Sequence, residues 1–168
     1  MAEKSRSQHD ATKTLRAYVD TSVLGGCFDR IFEKDTNAFM KYVRNGKIVS
    51  VVSDMVVGEI ARAPESVQHL LQEMIRGGAE VVAATEEAIE LQEAYLRHGI
   101  LGRRWEDDAM HVAMATLTRV DVIASWNFKH MVDPRRVRAF NGVNLIMGYG
   151  WVSILSPSDI VHLIEERE

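Results

Sequence analysis

Lys47-Ile48-Val49-Ser50-Val51-Val52-Ser53-Asp54-Met55-Val56-Val57-Gly58-Glu59-Ile60 is the stretch on which the fold turns. Its first part, Lys47–Val52, holds four β-favouring residues, Ile48, Val49, Val51 and Val52, and reads as a strand. Ser53 or Asp54 then stands where a helix is capped, and that helix carries Glu59. A strand that is apolar on both faces and passes straight into a helix belongs to a sheet covered on both sides.

The same unit recurs on either side. Leu15–Val19 is a short β-rich run that ends in Asp20, and Val122–Ser125 is a strand followed by Asn127. Glu80–Ala84 and Val152–Leu155 read as two more strands. Between them lie helices with clear punctuation. Pro64 opens one in which Val67, Leu70, Leu71, Met74 and Ile75 share a face, and Gly77-Gly78 stops it. Thr85 caps another, with Glu86 and Glu87 in its first turn. Residues 106–119 form a helix that is apolar almost all round and hence buried, and Ser156-Pro157 starts the last one. Strands alternating with helices predict an α/β fold: a three-layer α/β/α sandwich around a mostly parallel central sheet.

With 168 residues, 46% hydrophobic and 26% charged, the chain suits one soluble domain. Residues 1–14 read as a polar lead-in and 15–168 as the domain. No apolar run approaches the ~18 residues of a membrane span, and the N-terminus lacks the apolar stretch of a secretion signal. A cytoplasmic location, with no membrane partner, is the expectation. The single cysteine, Cys27, excludes an internal disulfide and a thiolate-rich zinc site, and suits a small buried residue. Net charge is −4, unevenly spread. Residues 97–138 hold eight Lys and Arg against five Asp and Glu, net +3, leaving −7 for the rest. Those cations form either a rim that grips phosphates or ordinary solvated helix faces.

In a parallel sheet the ligand site lies beyond the carboxyl ends of the strands. Asp20 and Asn127 fall just past strand ends, and Glu59 and Asp108 sit in helices that could reach them. Three carboxylates and an amide oxygen together make an oxygen-rich cage that suits Mg²⁺ or Mn²⁺, the usual equipment for cutting phosphodiesters. Each residue also has a plainer reading. Asp20, in Asp20-Thr21-Ser22, is a fine helix cap. Glu59 needs a partner in so apolar a segment, and Arg62 would serve as well as a metal. Asn127 alone is a turn residue. His111 shares a helical face with Asp108 and Ala115, so it tunes Asp108, touches substrate, or is a core histidine satisfied by a backbone carbonyl; His130 is similar.

Four segments resemble the PIN-domain family of metal-dependent ribonucleases, which includes the VapC-type toxins of bacterial toxin–antitoxin pairs. They are Tyr18 to Gly26, Ser53 to Glu59, Asp108-Ala109-Met110-His111-Val112-Ala113-Met114-Ala115-Thr116, and Asp121 to His130. They occur in the family's order across residues 18–130. The resemblance implies a PIN-like three-layer domain, with Asp20, Glu59 and Asp108 as catalytic, metal-binding carboxylates. Asn127 stands where many members carry a fourth aspartate, so a second divalent ion is expected to bind more weakly. It also implies an RNA substrate cut to 5′-phosphate and 3′-hydroxyl ends; Arg103, Arg104 and Lys129 are the candidates to hold its backbone. Ser22 and Ser125 lie beside the cluster. An antitoxin partner and pairing into a homodimer follow from the resemblance alone. The function expected is thus a Mg²⁺- or Mn²⁺-dependent endoribonuclease, the toxin of such a pair. The alternative is a catalytically impaired PIN-like module that binds RNA or protein.

Overall fold

The computed structural model describes residues 14–167; all but Thr14 of the polar lead-in expected over residues 1–14 lies outside them. The strands are β1 Leu15–Val19, β2 Ile48–Ser53, β3 Glu80–Val82, β4 Val122–Ala124 and β5 Ser153–Leu155. They form one sheet in the order β3-β2-β1-β4-β5, and every pairing is parallel. β1 pairs with β2 through Tyr18 opposite Val51, and with β4 through Val19 opposite Ala124.

Among the described residues eight helices accompany them: α1 Thr21–Gly26, α2 Glu33–Arg44, α3 Asp54–Ile60, α4 Glu65–Arg76, α5 Glu86–Arg97, α6 Glu106–Thr118, α7 Pro134–Ile146 and α8 Pro157–Glu165. A short 3₁₀ turn, Arg103–Trp105, leads into α6. The chain steps outward from β1 through β2 to β3, then returns across β1 to β4 and β5. Parallel crossovers are right-handed, so this reversal puts the early helices on one face and α5, α6 and α7 on the other. α2 packs with α8, and α5 with α6 and α7, as that requires. The result is the α/β/α sandwich read from the sequence.

The caps behave as their residue types dictate. Asp20, Ser53, Thr85 and Ser156 each accept a hydrogen bond from the backbone N–H three residues on. Two helices that the sequence reading leaves unassigned, α2 and α7, account for most of the difference between expectation and structure. Fully buried side chains such as Tyr18, Val19, Leu24, Phe39, Tyr95, Ile123 and Phe140 fill both interlayer spaces. Cys27 is free and buried, and burial pushes its thiol up to about 11.

Gly26 ends α1 packed tightly against Thr36 and Trp126. A Cβ there would lie 2.8 Å from both Thr36 Oγ1 and Trp126 Nε1, groups already joined by a 2.9 Å hydrogen bond. Both are buried and cannot step aside freely. Gly26→Ala is therefore expected to destabilise by about 1–3 kcal/mol. Thermal unfolding should show it as a fall in Tm of roughly 3–10 °C.

Candidate active site

β1 is the topological switch point, because its neighbours β2 and β4 continue the chain in opposite directions. The carboxyl ends of β1, β2 and β4 open there, and the side chains singled out in the sequence gather around them. Asp20 leaves β1 and is 4% exposed. It accepts hydrogen bonds from Ser22 Oγ (2.5 Å), Ser125 Oγ (2.6 Å) and the Val23 N–H (3.3 Å). None of these partners is cationic. Burial raises its carboxyl above the ordinary value, opposed by the two serine hydroxyls and the His111 charge. Asp20 is thus both the α1 cap and a buried carboxylate at the sheet's open end.

Glu59 projects from α3 toward the same point. Thr21 Oγ1 donates to Oε2, and His111 Nε2 lies 3.3 Å from Oε1. The His111 contact, with help from Thr21, holds its carboxyl below the usual range. Arg62, the expected ion-pair partner, is not among its contacts. His111 is buried without the carbonyl partner of an ordinary core histidine. Its Nδ1 lies 2.7 Å from the Tyr18 hydroxyl, itself 2.8 Å from Ser53 Oγ. Burial pulls the imidazole down, but Glu59 and the charges of Asp20 and Asp108 leave it raised overall.

Asp108 begins α6 half-buried, and its partner is His130, whose Nδ1 lies 2.9 Å from Oδ2. The Asn127 amide oxygen accepts from the His130 N–H at 3.0 Å, closing a turn, while Asn127 N–H donates to Ser125 Oγ at 3.0 Å. Trp105 packs on the His130 ring with centroids 4.0 Å apart, and the Arg104 guanidinium covers Trp105 at 4.6 Å. Asp20, Asn127 and Asp108 are therefore linked through Ser125 and His130, while Glu59 belongs to a second hydrogen-bonded set with Thr21, His111, Tyr18 and Ser53.

Spacing within α6 pointed to His111 as the neighbour of Asp108; the direct partner is His130, and His111 serves Glu59. Asn127-Phe128-Lys129-His130, an Asn followed three residues later by His, holds the signal for that turn. Tyr18 and Thr21 carry no such signal, because one reads as strand core and the other as a helix start. Of the basic residues expected at the rim, Arg103 is paired with Glu93 at 3.0 Å, Arg104 lies on Trp105, and Lys129 is exposed.

Three carboxylates and an amide oxygen suit a hard divalent ion in chemistry, and a buried carboxylate met only by neutral donors is a place where a cation is welcome. In arrangement the carboxylates stand apart. Among the described residues, no three carboxylate, histidine or cysteine side chains are grouped to hold a metal ion, and Glu59 and Asp108 each engage a histidine instead.

The Glu59–His111 pair makes stability depend on pH. The lowered Glu59 contributes fully above its ordinary 4.5 and is lost as pH falls through its folded value. The raised His111 contributes fully below its ordinary 6.5 and is lost as pH rises through its folded value. Both contributions are complete between those values. Glu59→Gln should flatten the dependence of Tm on pH around that window in EDTA, compared with the wild type.

No family model matches the chain, and no curated protein matches it. Solved structures are similar in shape. FitAcB from Neisseria gonorrhoeae aligns over 84% of this chain and 97% of that one, at 13% identity and a TM-score of 0.52. VapBC2 from Rickettsia felis, bound to a DNA fragment from their promoter, aligns over 84% and 98% at 11% identity and a TM-score of 0.49. That no family model and no curated protein matches corrects the membership in the PIN-domain ribonucleases and VapC-type toxins that the four segments suggested; with the FitAcB likeness, what stands is a PIN-like fold. The reason is physical. An apolar strand ending in an acid, or a small-residue helix opening on one, is what any buried parallel sheet with a polar open end selects, whatever its ancestry. No helix of the described residues is long and apolar enough to cross a membrane.

Proposed function

We propose that this chain is a divalent-metal-dependent endoribonuclease acting on RNA phosphodiesters at the open end of β1. The observation that carries the proposal is Asp20, a buried carboxylate with uncharged direct partners, linked through Ser125, Asn127 and His130 to Asp108, with Glu59 bonded to the adjacent Thr21. Asp20, Glu59, Asp108 and the Asn127 amide oxygen would hold Mg²⁺ or Mn²⁺, which when bound acidifies a water and polarises the phosphate. The chain's own groups do the rest. Ser22 and Ser125 fix both oxygens of Asp20. Thr21 aims Glu59. His130, clamped by Trp105 and by the Asn127 turn, orients Asp108, which is the carboxylate assigned to receive the proton of the attacking water. An antitoxin-type protein partner belongs to the same proposal, supported only by the likeness of fold.

A specific observation favours a second reading, a PIN-like module that binds RNA or protein without cutting. The histidines at Glu59 and Asp108 occupy the carboxylates that an ion would need. The deciding experiment incubates pure protein with labelled single-stranded and structured RNAs in Mn²⁺ or EDTA, alongside Asp108→Asn. The nuclease reading expects cleavage that needs Mn²⁺ and falls at least about 100-fold in the variant, the scale of a lost general base. Equal cleavage by both proteins means contamination. RNA binding without cleavage, with no heat of Mn²⁺ binding in calorimetry, selects the binding module.

A further inference from the structure

Beyond the carboxylates, between the end of α5 and the start of α7, lies a cleft of about 550 Å³ whose lining includes His98, Ile100, Lys129, Asp133, Arg135 and Arg136. It is joined to the active-site neighbourhood through a single step of chain, since Lys129 precedes the histidine that holds Asp108. Its charges are not equivalent. Arg135 is spent on Asp133, 3.1 Å away, and the same aspartate caps α7. Arg136 is held differently: its Nε donates to the Lys129 carbonyl at 3.0 Å and Nη1 to the Ile100 carbonyl. Carbonyls fix a guanidinium in place without cancelling its charge, so Arg136 is a positioned cation that keeps its charge for a ligand. Exposed Lys129 adds a second. On the other side of Lys129, Phe128 is 51% exposed and leans toward Trp126, with ring centroids 6.0 Å apart. An exposed aromatic side chain next in sequence to Lys129, with a positioned arginine in the cleft, offers the two contacts a flexible polynucleotide uses: a ring to stack a base and cations to take phosphates.

We propose that Phe128, Lys129 and Arg136 form a track for single-stranded RNA, with a base stacked on Phe128 next to the catalytic carboxylates and the following phosphates held in the cleft by Lys129 and Arg136. The inference rests on the ribonuclease reading for its ligand. It commits to RNA because Lys129 adjoins the histidine that holds Asp108, and because the cations here belong to residues 97–138, a stretch with a net charge of +3.

The test is fluorescence anisotropy of a labelled 12-nucleotide oligouridine with the full-length protein in EDTA, so that binding is read with cutting switched off. Lys129→Ala and Arg136→Gln are each expected to raise Kd about tenfold and to lower the slope of log Kd against log salt by about one. Phe128→Ala should raise Kd by a similar factor with the salt slope unchanged. Arg44→Ala, on the far end of α2 and paired with Glu73, should change neither. Should Arg136→Gln fail to fold, Lys129→Ala still decides, since its side chain is exposed and lies outside the core. Unchanged Kd and slope in Lys129→Ala and Phe128→Ala overturn the track, as does a polyglutamate peptide that binds the wild type more tightly than the oligouridine. RNA binding that weakens as expected in a protein that never cuts supports the track while removing the nuclease reading. Cutting by a protein whose RNA binding ignores these residues removes the track alone.

Discussion

Asp20→Asn should silence RNA cleavage about 1,000-fold or more while leaving a protein that, in EDTA, unfolds at the same temperature as the wild type or a few degrees higher. The two halves have one cause. A carboxylate that is 4% exposed and met by two serine hydroxyls and one N–H has lost its water and gained no opposite charge in contact. Its raised pKa means that the folded state resists its ionisation, so at neutral pH the charge works against folding. An asparagine fills the same volume, accepts from Val23 and one serine, and donates to the other. About 1 kcal/mol gained would lift Tm by roughly 2–4 °C. The proposed chemistry has no use for the neutral amide, because it needs the anion to attract the divalent ion; ~4 kcal/mol of lost transition-state stabilisation is a thousandfold in rate. Tm and single-turnover cleavage measured on one preparation check both halves. A Tm that drops by about 5 °C or more would show that the charge is structural.

Asn141→Ala should be the most damaging single polar substitution in the core. Asn141 lies on α7, wholly buried, and its amide makes the backbone pairings that a strand would make. Oδ1 accepts from the Val152 N–H at 2.8 Å, and Nδ2 donates to the Val152 and Val137 carbonyls, both at 2.9 Å. Truncation strands the N–H and the C=O of Val152 at the mouth of β5 and leaves a hole. With each orphaned group worth about 1–3 kcal/mol, a loss of roughly 3–5 kcal/mol is expected. That corresponds to a Tm lower by ~10–15 °C in a chain of this size. Urea unfolding at constant m-value would confirm it, whereas a shift under about 1 kcal/mol would mean that water replaces the amide.

The strands and their order of use were legible because a sheet buried on both faces writes itself as short, nearly unbroken apolar runs, as in Ile48–Ser53 and Val122–Ala124. Caps were legible for the same local reason. α7 was not, because its inward face is made of Phe140, Asn141, Val143 and Asn144. Two buried asparagines and Gly142 erase the apolar periodicity that a helix normally shows. The asparagines are there to satisfy partners far off in sequence: Val152 for one, the Tyr95 hydroxyl at 2.5 Å for the other. The site divides likewise. Asp20, Glu59, Asp108 and Asn127 stood out as polar residues at the ends of apolar elements. The wiring between them did not, since Tyr18 with His111 and Asp108 with His130 are matches between elements distant in sequence that no spacing encodes.

The placement of β1 between β2 and β4 also sets a timetable for the molecule's birth. The first three strands are made within residues 15–82 and lie side by side, so the emerging chain can assemble that half early. Asp20 and Glu59 are by then in place, but the serine that grips the second Asp20 oxygen is residue 125, and the aspartate and histidine that face each other are residues 108 and 130. A ribosome-bound chain that has exposed only its first hundred residues holds half a site and none of its clamp. Whatever this site does, it is built so that the ability arrives late, once most of the polypeptide has left the tunnel.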